Sequence, residues 1–165
     1  MERLDPILSL SYVPHPLVIV TVGDPGKPGK RNGMTAAWVS RVSWDPPLVM
    51  VSIAPSRYTF ELLKEFKEFA INVVSKKLVE PAMEVFGAIS GRDRDKFEAA
   101  GITPEKAKKI LAPVLKEAPV VLECKVVNMV EAGDHMIVIG EVVEAYKNND
   151  DEPVVQYKDA VRELA

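Results

Sequence analysis

The sequence predicts a mainly β domain with some α-helix, in which an antiparallel barrel or curved sheet carries helices at its margin. Apolar and β-branched runs of strand length lie toward both ends of the chain, and helical periodicity is confined to the middle. Strands and helices do not alternate regularly and no GxGxxG motif is present, which argues against a Rossmann-type parallel sheet. A chain of 165 residues is expected to form one domain over 1–165.

Three strands are predicted in the N-terminal third. The run at 17–22 is continuously apolar and ends in the Gly- and Pro-rich segment 23–30, which breaks regular structure. Two further strands are predicted at 36–42 and 48–54. Because the prolines between them cannot donate backbone hydrogen bonds, the two strands are expected to form a wide hairpin.

The middle of the chain is predicted to be mainly helical. Phe60, Leu63 and Phe66 recur at helical spacing, which predicts a helix that starts near 57–59. After a predicted strand at 69–74, the pattern at 78–89 indicates a second helix, with its proline in the first turn.

Two short helices are predicted next. The first covers 93–100, with Asp93 as its cap and Gly101 at its C-terminal end. The second covers 105–109, because Thr103 followed by Pro104 is typical of an N-cap and a first helical residue.

The C-terminal part of the chain returns to strands. Long strands are predicted at 120–130 and 135–146, joined by a turn around 132–134. A last edge strand is predicted at 154–157.

Composition excludes several classes of partner and site. The chain has 21 basic and 24 acidic residues and no long basic run, so nucleic acid is not an expected partner. Its single cysteine, Cys124, lies in an apolar run and is expected to be a core residue, which fits a reducing cytoplasm. Neither a signal-peptide core nor an apolar run of the ~20 residues that span a bilayer is present, so we expect a cytoplasmic protein without a membrane partner. Cys/His clusters with metal-ligand spacing are also missing, and no metal site is expected.

Three segments, 32–38, 56–59 and 90–97, have the features of one anion-binding pocket. Each combines small or hydroxyl residues, which let backbone N–H groups approach a ligand, with a cation or a predicted helix start. In the second segment, Arg57 adds a forked cation that holds two phosphate oxygens. The simplest interpretation is a site for a phosphorylated ligand.

Structural alternatives exist for each segment. Asn32 and Gly33 could form a β-turn, and Ser56 and Thr59 could be ordinary helix caps. The charged residues of 90–97 could be solvated side chains around a helix cap.

Two aromatic side chains, those of His135 and of Trp38 at the end of the first segment, are further candidates. His135 stands at a predicted strand start, from which it could hydrogen-bond developing negative charge or position a hydride donor, or it could be a plain turn histidine. Trp38 could stack on a ligand or fill the core or an interface.

These residues resemble the flavin reductase-like family of FMN-binding split β-barrel proteins, which includes flavoredoxins, ferric reductases and the reductase components of two-component monooxygenases. The resemblance runs from about 14 to 146 and rests on the order and spacing of several short pieces. They are 32–40, 42–43 with 45–47, Arg57 with Thr59, 90–93 with 95–97, and 133–135 with 140–142.

The resemblance implies an antiparallel Greek-key split barrel that forms a homodimer, with FMN held near the dimer interface. The cofactor-binding residues that it implies are Asn32, Gly33, Met34, Thr35, Ala36, Ala37, Trp38, Ser52, Ile53, Ala54, Arg57, Thr59, Ser90 and Lys96. Among them, Arg57, Thr59 and Lys96 are the expected phosphate ligands, and His135 is the catalytic candidate. Many family reductases carry serines where this chain has Ala37 and Trp38, so hydrogen bonding to the flavin is expected to differ here.

The expected function is that of an oxidoreductase in which NADH or NADPH delivers a hydride to flavin N5. The reduced flavin would then pass electrons to free flavin, ferric iron or a partner protein, and the sequence does not select among these acceptors. One alternative is a non-enzymatic electron carrier that keeps FMN bound. Another is a split-barrel protein that uses a deazaflavin.

Overall fold

A computed structural model of the protein describes residues 1–164, which form twelve strands and four α-helices. The strands are β1 (His15–Pro16), β2 (Val18–Gly23), β3 (Arg31–Ala36), β4 (Val39–Ser43), β5 (Leu48–Ile53), β6 (Glu68–Val73), β7 (Glu105–Lys106), β8 (Pro113–Val114), β9 (Val120–Ala132), β10 (His135–Lys147), β11 (Val154–Tyr157) and β12 (Ala160–Glu163). The α-helices are α1 (Pro6–Ser9), α2 (Tyr58–Phe66), α3 (Val79–Pro81) and α4 (Lys96–Ala100). The predicted fold class, mainly β with marginal helices, is confirmed.

A seven-stranded antiparallel sheet forms the body of the protein, in the order β3-β2-β6-β9-β10-β5-β4. Its two edge strands, β3 and β4, are consecutive in the chain and are joined by just Ala37 and Trp38. Because two residues span a short distance, the sheet must curl until its edges approach each other. The result is a barrel that is open along the β3–β4 seam.

The sheet is packed on both faces, which explains the continuous apolar run in β2. Val18, Val20 and Val22 belong to one buried cluster, together with the apolar face of α2. Leu17 and Ile19 belong to the other cluster, which contains the aromatic rings near α4. A strand that is buried on both faces loses the usual apolar–polar alternation.

The long C-terminal strands are as predicted, but the position of β11 is not. β9 and β10 form an antiparallel hairpin, with His135 opposite Ala132 at its end. The predicted edge strand at 154–157 is instead the middle strand of a separate sheet of order β1-β11-β12. β12 was not predicted, and it gives β11 a second neighbour.

The predicted strand at 36–42 is wrong as a single element. β3 ends at Ala36, which pairs with Val18 of β2, and β4 begins at Val39, which pairs with Val51 of β5. The chain changes partner at Ala37 and Trp38, so neither residue is part of a strand. The predicted hairpin itself is confirmed, since β4 and β5 pair antiparallel.

The β-turn alternative for Asn32 and Gly33 is also wrong. Both residues lie inside β3, opposite Val22 and Thr21 of β2. Because successive side chains of a strand point to opposite faces of the sheet, Asn32 and Gly33 face different sides of β3.

Two predicted helices are shorter in the structure. In place of one helix over 78–89, α3 continues into a π-helical turn, Ala82–Phe86, after which the chain turns. α4 begins at Lys96, and its cap is Asp95 rather than Asp93, because Asp95 Oδ1 accepts from the N–H groups of Phe97 and Glu98 at 2.9 and 3.5 Å. The C-cap at Gly101 is confirmed, with a positive φ of 67°.

The predicted helix over 105–109 is wrong. Residues 105–106 form β7, which pairs with β8. The next free N–H groups, those of Lys108 and Lys109, donate to the two carboxylate oxygens of Glu123 at 2.8 and 2.7 Å. A buried carboxylate in a neighbouring strand thus replaces the hydrogen bonds that a helix would have made.

Cys124 is a buried free thiol, as predicted, and burial raises its pKa to about 12. In the part of the chain that the structure describes, none of the helices has the length and apolar character needed to cross a bilayer.

Candidate functional site

A cavity of about 350 Å³ opens between the start of α2 and the turn that follows the π-helical segment. This volume is in the range of small-molecule sites rather than of single ions. Its lining residues are Asn32, Met34, Thr35, Ser56, Arg57, Tyr58, Thr59, Phe86, Gly87, Ala88, Ile89, Ser90, Gly91, Arg92 and Lys96. Within residues 1–164 this lining contains three cations and no carboxylate, so the cavity favours an anion.

Lys96 is the most buried of the three cations. Lys96 is only 5% exposed, and its ammonium group donates to the backbone carbonyl of Phe86 at 2.9 Å. Burial, and to a smaller extent the charge of Arg57, lower the pKa of Lys96 from 10.5 to about 8. No acidic side chain among residues 1–164 is paired with it, so the charge remains available to a ligand.

Arg57 stands at the N-terminus of α2 and is exposed. It is the N-cap residue, and no side chain within the described chain caps this helix, which rules out the proposed caps at Ser56 and Thr59. The N–H groups of Phe60 and Glu61 donate to the carbonyl of Arg57, at 3.0 and 3.3 Å, whereas those of Tyr58 and Thr59 have no hydrogen-bond acceptor among residues 1–164. The positive end of the helix dipole therefore lies at the cavity. Arg57 and the start of α2 therefore both supply hydrogen-bond donors and positive charge to an anion.

Asn32 and Thr59 form a buried polar pair beside these cations. Asn32 Nδ2 donates to Thr59 Oγ1 at 2.9 Å, and the two residues are 2% and 0% exposed. Because Thr59 Oγ1 already accepts this bond, its own hydroxyl proton is free to donate to a ligand. Asn32 Oδ1 is buried without a hydrogen-bond partner among residues 1–164, so it offers an acceptor.

The cavity wall approaches Asn32 very closely at Gly91. A Cβ atom at position 91 would clash with the Asn32 carboxamide. The glycine therefore allows the turn to lie directly over Asn32, with Ser90 and Arg92 on either side.

Alternate residues of β3 hold the π-helical segment in place. A Cβ atom on Gly33 would lie 2.7 Å from the Phe86 ring, so the strand and this ring are in direct contact. Thr35 Oγ1 donates to the carbonyl of Ala82. Met34 lines the cavity, and Ala36 is buried in the barrel core.

The remaining predicted residues form a second group, the ledge, which comprises Ala37, Trp38, Ser52, Ile53, Ala54 and His135. The rings of Trp38 and His135 lie 4.4 Å apart, and the N–H of Ser52 donates to the carbonyl of Trp38 at 3.0 Å. His135 Nδ1 is 2.6 Å from Asp134 Oδ1, a contact that lowers the pKa of Asp134.

The ledge adjoins the cavity but is not part of its lining. The two are joined where the N–H of Arg57 donates to the carbonyl of Ala54 at 3.0 Å. Ile53 is fully buried, so its side chain cannot reach a ligand. Trp38 is 48% exposed and presents one aromatic face beside His135.

Two lining residues, Tyr58 and Arg92, lie in the predicted segments 56–59 and 90–97 but were not among the expected cofactor-binding residues. Tyr58 lies under the Arg92 guanidinium at 5.6 Å, and its hydroxyl donates to the carbonyl of Gly29 at 3.1 Å. Arg92 also pairs with Glu61 at 3.1 Å, at the cavity rim. The stretch 86–89 also lines the cavity, although the sequence predicts a helix there, in which backbone groups would be paired within the helix. Its signal was Gly87, which interrupts that helical pattern.

The chain is similar to flavin reductases in sequence and in fold. A model of the flavin reductase like domain matches residues 10–165. The NADH:riboflavin 5'-phosphate oxidoreductase of Streptomyces pristinaespiralis is 32% identical over 140 residues, which cover 82% of this chain and 73% of that protein.

Two solved structures extend the likeness. The NADH:FAD oxidoreductase SgcE6 of Streptomyces globisporus C-1027 superposes with a TM-score of 0.87 at 26% identity, over 100% of this chain and 98% of its own. Flavoredoxin of Desulfovibrio vulgaris (Miyazaki F) gives a TM-score of 0.77 at 29% identity, over 86% of this chain and 81% of its own.

Proposed function

The chain belongs to the flavin reductase-like domain family, whose members are oxidoreductases, and from this premise we propose that it is an FMN-dependent flavin reductase. Residues 1–165 would act as one flavin-binding domain, with NADH or NADPH as the reductant. The observation that carries the proposal is the pair of cations, Lys96 and Arg57, at a cavity whose described lining has no carboxylate.

The donors around the cavity fit a phosphate monoester. Lys96 and Arg57 supply two positive charges for a dianion, and Thr59 supplies a hydroxyl donor. The free N–H groups at the start of α2 add neutral donors of the right polarity. The orphaned acceptor Asn32 Oδ1 fits a ligand that carries a hydroxyl next to its phosphate, as the ribityl chain of FMN does.

The ledge provides a place for the flavin ring. Backbone groups of 52–54 and of 36–38 would border the ring, with the exposed face of Trp38 beside it. Bound FMN supplies the redox chemistry, since it accepts a hydride from a nicotinamide and passes electrons on. The protein binds and orients the cofactor and keeps charge near its phosphate.

His135 is the side chain we propose to act near the ring. Its Nδ1 is engaged by Asp134, which fixes the imidazole orientation and leaves Nε2 for a ligand. From there Nε2 can donate a hydrogen bond to developing negative charge or help to position the nicotinamide.

The visible spectrum of freshly purified protein, recorded before and after anaerobic addition of NADH and then NADPH, tests this function. We expect bands near 370 and 450 nm, typical of any oxidised flavin, that bleach with at least one nicotinamide. A protein that cannot be reconstituted with FMN contradicts the proposal. A spectrum of bound cofactor without the 450 nm band would favour a deazaflavin.

The fold likeness to a flavoredoxin favours one second candidate, a bound-FMN electron carrier. The carrier would show the same oxidised spectrum but no turnover of NADH or NADPH. Bleaching by dithionite together with no bleaching by either nicotinamide selects the carrier.

We further propose a homodimer, with β4 near its interface. Trp44 is 77% exposed, although the Arg41 guanidinium stacks 3.8 Å from the centre of its ring. It lies at a groove whose other lining includes Val39, Leu48 and Val142. Light scattering during gel filtration should give the dimer mass, and Trp44→Glu should shift it toward the monomer; a monomeric wild type contradicts this proposal.

A further inference from the structure

A buried ion pair lies directly behind the anion site. Both Arg31 Nε and a terminal nitrogen of Arg31 donate to Asp95 Oδ2, at 3.0 and 2.7 Å. The two side chains are 11% and 8% exposed, whereas in each of the other Lys– and Arg–carboxylate pairs within residues 1–164 both side chains are at least 26% exposed. This pair is therefore shielded from the salt screening that weakens surface pairs.

The pair is fully engaged within the protein. Asp95 uses its other oxygen, Oδ1, to cap α4 through the N–H of Phe97. The other terminal nitrogen of Arg31 donates to the carbonyl of Pro25 at 2.6 Å, and the guanidinium lies 5.2 Å from the Phe97 ring centre. Neither residue lines the cavity, so neither is a ligand-binding residue.

Sequence adjacency connects the pair to the site. Arg31 immediately precedes Asn32 on β3, and Asp95 immediately precedes Lys96 at the start of α4. A contact that joins residues 31 and 95 therefore fixes the distance between the two peptide units that carry Asn32 and Lys96. These are the orphaned acceptor and the buried cation of the site.

The pair also closes the wall segment, residues 82–97, onto β3. Three alternate residues of the strand hold this segment: Thr35 bonds Ala82, Gly33 contacts Phe86, and Arg31 bonds Asp95. The first two contacts hold its beginning, and the ion pair holds its end. The residues between these anchors form the cavity wall over Asn32.

We propose that Arg31 and Asp95 are positioning residues for the ligand phosphate: their ion pair holds Lys96 and the end of the wall segment at the distance from β3 that the anion requires. The proposal rests on the phosphate site described under the proposed function. A lysine side chain is flexible, and Lys96 has one hydrogen bond of its own, to Phe86. Its ammonium group is therefore placed mainly by its backbone, which the ion pair fixes.

The test compares the affinities of FMN and riboflavin, which differ by the phosphate alone, through quenching of flavin fluorescence. We expect Arg31→Met and Asp95→Asn to weaken FMN binding by about tenfold or more while riboflavin binding changes by less than about threefold. Asparagine keeps the volume of Asp95 and a good helix cap, so Asp95→Asn is the variant least exposed to folding failure. The ratio of the two affinities is insensitive to a general loss of stability.

Lys30→Met is the matched control. Lys30 is the neighbour of Arg31 and its pair with Glu65 at 3.0 Å is half exposed, so the substitution removes the same charge at nearly the same place. We expect a change in the FMN-to-riboflavin ratio of less than about twofold.

The positioning role is overturned if Arg31→Met and Asp95→Asn, or the one of them that folds, retain the wild-type ratio of FMN to riboflavin affinity. It is also overturned if FMN and riboflavin lose affinity equally. Lys96→Met separates this failure from failure of the phosphate site. If Lys96→Met lowers the ratio and the pair variants do not, the phosphate site stands and the positioning role is wrong. If Lys96→Met leaves the ratio unchanged, both are wrong.

Discussion

Lys96 and Glu123 are two buried ionisable side chains with opposite surroundings. Glu123 is 0% exposed, and each of its carboxylate oxygens accepts a backbone N–H, from Lys108 and from Lys109. Lys96 is 5% exposed and has a single carbonyl partner, and the charge that acts on it most is another cation, Arg57.

The difference separates a structural charge from one that is kept for a ligand. A buried charge that its own chain satisfies stabilises the fold, here by holding the loop after β7 against β9. A buried charge that is left next to a like charge costs folding free energy and is compensated when an anion binds. The pKa of Lys96 is lowered to about 8 because burial and the charge of Arg57 make its charged form less stable.

The largest expected effect is on stability, for Glu123→Ala. The substitution leaves the N–H groups of Lys108 and Lys109 without acceptors, and we expect the free energy of unfolding to fall by about 3 kcal/mol. Urea denaturation measures this change. Glu123→Gln keeps one acceptor and should lose less, while both variants should retain the FMN-to-riboflavin ratio. A loss below about 1 kcal/mol in Glu123→Ala would show that the Glu123 carboxylate is not a major stabilising group.

Lys96→Met should show the opposite pattern. We expect its affinity for FMN to fall by about 2 kcal/mol, roughly 30-fold in Kd, with riboflavin affinity little changed. The ligand-free variant should unfold at a urea concentration no lower than wild type, because an unpaired buried charge has been removed. Lys116→Met, at an exposed position, is the control for loss of one positive charge. A destabilised variant with normal FMN affinity would mean that Lys96 is structural.

The pH dependence of binding and of folding should run in opposite directions. As pH rises through about 8, ligand-free Lys96 loses its proton, so FMN affinity should fall while riboflavin affinity should not. The unfolded chain holds that proton up to the ordinary lysine pKa of 10.5, so the stability of ligand-free protein gains a contribution between about 8 and 10.5.

Titrations with FMN and with riboflavin from pH 7 to about 10 measure the pH dependence of binding. Lys96→Met is the control, and its FMN-to-riboflavin ratio should not change with pH. A bound phosphate favours the charged lysine and moves the apparent midpoint upward. An FMN-to-riboflavin ratio that is independent of pH in the wild type would contradict the assignment of Lys96.

The smallest effect is expected for Arg57→Ala. Arg57 is exposed, so its charge is screened, and we expect FMN affinity to fall only about fivefold. Because Arg57 helps to lower the pKa of Lys96, its removal should also move the pH midpoint of FMN binding upward. A midpoint that stays in place would show that the two cations do not act on each other.

The sequence predicted the fold class and the strands β2, β5, β6, β9, β10 and β11, because each of these strands carries its own local signal. β2 reads as a strand from its apolar run alone, and α2 from the spacing of Phe60, Leu63 and Phe66. Three short segments with small, hydroxyl or charged residues indicated an anion site, and the family resemblance added its expected ligands. The structure brings Asn32, Arg57, Thr59, Ser90 and Lys96 to one cavity.

The remaining features depend on contacts between distant residues and leave no local signal. Arg31 and Asp95 are 64 residues apart, so the sequence gives no indication that they form an ion pair. The segment 105–109 has local capping signals for a helix, but the N–H groups of Lys108 and Lys109 donate to the Glu123 carboxylate of β9 instead. β12 and the partner change at Ala37 and Trp38 likewise follow from how the sheets assemble.

The most direct test of the account is a side-by-side titration of the wild-type protein with FMN and with riboflavin at neutral pH. Because the two ligands differ by one phosphate and Lys96 alone is expected to contribute roughly 30-fold, we expect FMN to bind at least about 30-fold more tightly. Equal affinities would contradict it, since the cavity with Lys96 and Arg57 would then not be a phosphate site.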